Sequence, residues 1–169
     1  MNPTMTAEEI KTLLRLRAHP MEGGFFRRTY TSELSVEVER HGQQVSRPAG
    51  TTIYYLLEPG TFSEMHKLSS DEIFHFYLGD PVEMLQLWPG GKTKTVILGP
   101  DLAAGQQVQL IVPADVWQGT QLIGDGQVAL LGCSVYPGFD FKDYVRGTYS
   151  ALSEGWPSEA ERLRALTRG

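Results

Sequence analysis

The chain has 169 residues, 41% of them apolar, and a formal net charge of −5. That length fits one domain with a sizeable core, and an acidic balance without a basic block argues against a nucleic-acid backbone as partner. The single Cys133 leaves no internal disulfide, and no apolar run reaches the length of a membrane span. The polar stretch from Met1 to Thr12 carries no secretory signature, so a cytoplasmic protein that touches neither membrane nor nucleic acid is expected.

Thr6-Ala-Glu-Glu9 is a capping box, in which the Thr6 hydroxyl and the Glu9 carboxylate satisfy free helix N–H groups. It opens a helix expected over about residues 7–18, with Ile10, Leu13, Leu14 and Ala18 on the inner face and Pro20 ending the element. Gly23-Gly24 turns a corner into a strand-like stretch from Phe25 to Val38, and His41-Gly-Gln-Gln is a polar turn. Thr51 to Leu57 is apolar or aromatic almost throughout, as expected of a strand covered on both sides. Short strands then alternate with turn signals: Pro81 to Trp88, Lys92 to Leu98, Gln107 to Val112, Val116 to Ile123 and Val128 to Val135. Tyr149 to Gly155 reads as a loose linker and Trp156 as an anchor. Ser158-Glu-Ala-Glu161 is a second capping box, opening a C-terminal helix over about residues 158–168 with Ala160, Leu163 and Leu166 inward. This beat of strands predicts an all-β sandwich or barrel over about residues 25–145, with helices only at its two ends.

The chemistry concentrates between Gly60 and Gly79, which holds two of the four histidines. Read as strands, Phe62, Glu64, His66 and Leu68 share one face of the first segment, and Ser69-Ser70 is the turn out of it. In the second segment Glu72, Phe74 and Phe76 point one way, and Ile73, His75 and Tyr77 the other. Two such strands side by side would set an imidazole and a carboxylate against aromatic surface. That suits a metal site, an acid/base pair or a polar anchor in a ligand cavity.

Each candidate has a plain alternative. His66 is either a functional imidazole or a buried histidine bonded to a neighbour. Glu72 in an apolar strand is either a cavity carboxyl, its pKa raised by desolvation, or half of a salt bridge with Lys67 or an arginine. His75 falls outside the barrel unless a bulge follows Glu72. Gln118 can fix a ligand carbonyl or hydroxyl, and Trp117 and Phe74 offer aromatic contact where packing would serve equally. Tyr54, Tyr55 and Tyr77 are possible proton donors, and Cys133 reads as a small buried hydrophobe.

The spacing Gly60-x5-His66-x-Leu68-x3-Glu72-x6-Gly79 resembles the first cupin motif, with Leu68 in its second histidine position. Pro113-Ala-Asp115-Val-Trp117-Gln118 resembles the second motif, with Asp115 where glycine is usual and Gln118 where the last metal histidine stands. Further stretches, from His19-Pro-Met-Glu22 to Tyr30, from Asp71 to Tyr77 and from Val135 to Phe141, are similar to the RmlC-like subgroup labelled predicted sugar epimerases. The resemblance runs from about Thr6 to Tyr144 and implies one cupin domain, a jelly-roll β-barrel with short terminal helices, and a homodimer. Dimerisation also agrees with the apolar strand from Thr51 to Leu57.

Three functions follow. The first is an epimerase-like enzyme acting on a sugar or nucleotide-sugar, with His66, Glu72 and Tyr54 as its acid/base groups and Gln118, Trp117, Phe74 and His75 as ligand contacts. The second is a binding module that uses the same cavity without turnover. The third is a dioxygenase-like enzyme holding a divalent metal on His66, Glu72 and Gln118. Against it stand Leu68 and Gln118, which remove two of the usual ligands, so no cofactor is expected.

Overall fold

A computed structural model describes residues 5–168. The N-terminal helix α1 spans Ala7–Leu14, with the Thr6–Glu9 capping box formed and Arg15 in a left-handed conformation at its C-cap. It is shorter than the sequence predicts, because the left-handed cap turns the chain into strand β1, Arg17–Ala18. Ala18 therefore belongs to a strand, and Leu13 faces water while Ile10 is buried.

The strands that follow are β2 (Phe25–Thr31), β3 (Ser35–Arg40), β4 (Gln43–Pro48), β5 (Thr51–Leu57), β6 (Phe62–Leu68), β7 (Asp71–Gly79) and β8 (Val82–Trp88). Then come β9 (Lys92–Leu98), β10 (Gln109–Val112), β11 (Trp117–Leu122), β12 (Ala129–Tyr136) and β13 (Tyr144–Arg146). The expected strand from Phe25 to Val38 is two elements, since β3 leaves the sheet to pair with β4 in a separate hairpin. His41 and Gly42, both at positive φ, form its tip.

Two antiparallel sheets face each other, in the orders β1-β2-β5-β12-β7-β10 and β13-β6-β11-β8-β9. This is a jelly-roll arrangement. The side-chain period of two sets one face of each strand into the space between the sheets. Tyr55, Leu57, Phe74, Met84, Leu98, Val112, Leu131 and Cys133 fill one end of that space as the main core. At the other end the inner side chains become polar, and a cavity opens there.

Helices cover the outer faces. Ile10 of α1 packs on Leu56 and Leu130, so the strand from Thr51 to Leu57 is covered from outside by this chain itself. Tyr149–Gly155, expected to be a linker, is helix α2, capped by Thr148 and anchored by buried Leu152. The second capping box does not form. Pro157 starts a 3-10 turn through Glu159, and helix α3 covers only Ala160–Leu166. Leu152, Leu163 and Leu166 close over Met65, Leu85 and Leu87 on the outside of the second sheet. Trp156 ties this unit down by donating its indole N–H to the carbonyls of Trp88 and Lys92, 3.1 Å away in each case.

Leu163 has no exposed surface. Leu163→Ala should therefore cost about 2–5 kcal/mol, read as a lower denaturant midpoint with an unchanged slope. A loss below about 1 kcal/mol would show that the helical unit packs only loosely on the sheet.

Candidate functional site

His66 and Glu72 line one narrow cavity, but they come from different sheets. The sequence reading placed their strands side by side. The chain instead crosses from one sheet to the other at Ser69-Ser70, so the two side chains approach from opposite walls. Gln118 lies in register with His66 and reaches across, its Nε2 donating to Glu72 Oε2 at 2.7 Å. The three residues thus converge.

A bulge decides which β6 side chains face inward. Gln118 pairs with His66 while Thr120 pairs with Ser63, so β6 carries one extra residue between them. Ser63 and His66 both point into the barrel as a result. Met65 packs outside with α2 and α3, and Glu64 is displaced sideways.

His66 is 1% exposed. Its Nδ1 lies 2.7 Å from the Glu64 carbonyl oxygen, which can only accept. Nδ1 therefore carries a proton, and in the neutral ring the lone pair is on Nε2. Tyr144 stacks on the imidazole, with ring centroids 4.9 Å apart and planes 14° from parallel.

Glu72 is pushed up to a pKa of about 7, first by burial and second by the neighbouring Glu22 carboxylate. His66, Gln118 and the Cys133 thiol oppose the shift without cancelling it. Gln118 is itself buried, and its Oε1 has no partner among the described residues.

Two further groups complete the polar wall. His19 Nδ1 accepts the backbone N–H groups of Met21 (3.3 Å) and Glu22 (2.9 Å), and its Nε2 lies 3.8 Å from Glu22 Oε2. Burial pushes its pKa down, in keeping with a neutral ring already committed at Nδ1. Ser63 donates its hydroxyl to Glu22. Glu64, buried behind His66, accepts from Tyr144 Oη (2.9 Å) and Arg146 Nε (2.8 Å).

Other expected contacts lie elsewhere. Tyr54 points outward, under the Arg27 guanidinium and 6.1 Å from the Tyr77 ring, because its neighbour Tyr55 takes the inward position. Trp117 follows the same alternation, facing away from Gln118 and packing with α2 and α3. His75 lies on the outer face beside Tyr77 and Gln109. The β7 bulge comes only at Phe76–Leu78, too late to turn His75 inward. Phe74 does point inward, but as fully buried core away from the cavity lining.

The inward tyrosines have already placed their protons. Tyr55 donates to the Gly23 carbonyl at 2.7 Å and Tyr144 to Glu64, and burial raises both pKa values. His19, Glu22, Ser63 and Tyr144 were missed as site residues. The motif around His19 and Glu22 was visible, but nothing in it showed that the loop folds back over His66.

Leu68 fills the second histidine position on the cavity wall, so that position offers no metal donor. Among the described residues no three His, Cys, Asp or Glu side chains are grouped to hold an ion.

Two facing sheets with a histidine and a glutamate inside one end define a cupin-type jelly roll. The sequence model of the family described as Cupin superfamily (DUF985) matches residues 8–146, and the chain belongs to that family. It is 31% identical over 135 residues to the uncharacterised protein YML079W of Saccharomyces cerevisiae, covering 73% of this chain and 67% of that one. The crystal structure of protein SO0799 from Shewanella oneidensis superposes with a TM-score of 0.85 at 33% identity, over 98% of this chain and 99% of that one. A hypothetical protein from Leishmania major gives 0.88 at 29% identity, over 98% and 100%. Oxalate decarboxylase from Bacillus subtilis shares the fold at 14% identity, with a TM-score of 0.53 over 89% of this chain and 37% of its own.

The raised Glu72 pKa makes stability depend on pH. Its folded value, about 7, lies above the ordinary 4.5, so its stabilising contribution is present below pH 4.5 and lost as pH rises to about 7. Glu72→Gln should match the native chain near pH 4 and exceed it by a few kcal/mol above pH 8, measured by denaturant titration. Parallel pH profiles for the two proteins would contradict the raised pKa.

Proposed function

We propose that the protein is an epimerase-type isomerase acting on a small carbonyl-containing ligand of the sugar class. The observation that carries this reading is the placement of two proton-handling groups on opposite walls of one cavity. His66 has Nδ1 tied to a carbonyl, which leaves Nε2 as the basic atom of the neutral ring, and the Glu72 pKa is raised to about 7. In the reaction His66 Nε2 takes the proton from the carbon next to the carbonyl, and the electron pair moves onto the carbonyl oxygen as an enolate. The Glu72 carboxyl then delivers its proton to the opposite face of that carbon, which inverts the centre. Solvent returns the imidazolium and carboxylate to their starting forms. Gln118 holds the Glu72 carboxyl in place. Glu72 takes the acid role first considered for Tyr54, which lies on the outer face.

The test is wash-in of solvent deuterium at the carbon beside the carbonyl, followed by NMR on a panel of sugars and nucleotide-sugars. Native protein should catalyse exchange. His66→Asn and Glu72→Gln should each lower it by about 10²–10⁴, while Tyr54→Phe leaves it unchanged. Ligand binding without exchange in the native chain would favour the non-catalytic binding module instead.

The reading also includes a homodimer in the cytoplasm. Tyr77, Tyr136 and Ile111 expose apolar surface on the outer face of the first sheet, beyond the area α1 covers. Light scattering should give about twice 18.8 kDa at micromolar concentration, and a monomer mass would remove this part of the reading.

A further inference from the structure

The mouth of the cavity has chemistry of its own. Arg17 of β1 is in register with Phe26 of β2, and Arg28 lies two residues further along β2, so all three share the inner face of the sheet edge. Arg28, Phe26 and Phe139 line both the deep cavity and an outer recess, which Arg17, Asp140 and Phe141 complete. Cavity and recess therefore adjoin along a shared wall of Phe26, Arg28 and Phe139.

Both guanidinium groups beside this wall are supported by rings and have no carboxylate partner among the described residues. Arg17 lies 5.3 Å from the Phe26 ring centroid and Arg28 5.8 Å from that of Phe139. The hydrogen bond that Arg28 makes is a long one, 3.5 Å to the Phe139 carbonyl. Five other arginines pair with carboxylates, Arg40 and Arg47 with Asp143, Arg146 and Arg168 with Glu64, and Arg162 with Glu83 and Glu159, while Arg27 and Arg164 also rest on rings but away from the cavity mouth.

Asp140 is the acid of the recess, and it favours the Arg28 charge from a distance. Its own oxygens are directed elsewhere, one accepting the Lys142 N–H and the other 4.0 Å from Arg47. Burial at the mouth works against the charge on Arg28, so an anion arriving there would meet two under-paired guanidinium groups.

We propose that Arg17 and Arg28 form an oxyanion subsite at the cavity mouth, so that the ligand is an anionic compound carrying a phosphate ester or a carboxylate. This rests on the proposed reading of the deep cavity as the ligand site. The reacting part enters between His66 and Glu72, while the anionic end stays among Arg17, Arg28 and the rings of Phe139 and Phe141. The rings exclude water from one side of each guanidinium, which strengthens a fork-like contact with an oxyanion.

Calorimetric titration at low salt with a neutral hexose, its 6-phosphate, the corresponding hexuronate and inorganic phosphate tests this. The phosphate ester or the hexuronate should bind at least tenfold more tightly than the neutral hexose, and the better of the two names the anion. Arg28→Gln should remove roughly ten- to a hundredfold of that affinity, and Arg17→Gln less, with the neutral hexose unchanged in both. Equal binding of charged and neutral probes, no binding of any anionic probe, or a preference that survives in the Arg17→Gln, Arg28→Gln double variant would each overturn the subsite. Deuterium exchange separates this from the catalytic reading. An arginine-dependent preference without exchange in any probe would leave the subsite standing and remove the epimerase, whereas exchange that ignores ligand charge and both arginines would do the opposite.

Discussion

A carboxyl group held between two packed sheets is costly in its charged form, and the site is arranged around that cost. Glu72 enters from β7, a strand whose other inward residues, Phe74 and Phe76, belong to the core or pack against it. It meets the Gln118 amide from the opposite sheet and the Cys133 thiol from its neighbour β12. Neither partner carries a charge, so Glu72 is hydrogen-bonded without being neutralised. A guanidinium in place of Gln118 would fix it as a carboxylate and end its use as an acid. The nearby Glu22 acts the other way, since two carboxylates sharing one dry space favour a proton on one of them.

Much of the fold was legible in the sequence, because hydrophobic alternation and turn residues are local signals. Most strands between Phe25 and Val135 follow from them, as does the first capping box. Which strands face each other is not local. The turn at Ser69-Ser70 looks the same whether it joins neighbours in one sheet or crosses between two, so His66 and Glu72 were placed on one wall instead of two. Orientation failed for a related reason at Tyr54 and Tyr55, where adjacent identical residues give the alternation no phase. The bulge at Glu64 resets that phase within β6, and a one-residue insertion leaves no mark in composition. At the C-terminal end, Thr148 and Leu152 build a helix from a stretch that looks polar, while Pro157 shifts the start of the next one.

The cavity also depends on elements outside the two sheets. The β3–β4 hairpin carries Arg40 and Arg47. Arg47 binds Asp143 through two hydrogen bonds of 2.8 and 2.9 Å, and Arg40 donates to Ser70 Oγ at 2.8 Å. One clamp therefore grips both the crossing between the His66 and Glu72 strands and the segment leading into β13. That segment supplies Phe139 and Phe141 at the mouth and Tyr144 against His66. The Arg47–Asp143 pair lies far enough from solvent that leaving either partner alone would strand a buried charge.

These constraints together narrow the choice of proton donor. An epimerase-like reading needs one group to remove a proton and another to supply one from the far side. Tyrosine is attractive for the second role, yet each inward tyrosine has its hydroxyl proton directed at a protein acceptor and its pKa raised by burial. Releasing Tyr144 from Glu64 would also loosen the ring that stacks on His66. His19 has its Nδ1 occupied by two backbone N–H groups and its Nε2 turned toward Glu22. Of the two carboxyls that line the cavity, Glu22 is engaged by the Ser63 hydroxyl, whereas Glu72 lies opposite His66 with its pKa raised to about 7. The feature that makes it costly to bury is therefore the same one that suits it to give up a proton there.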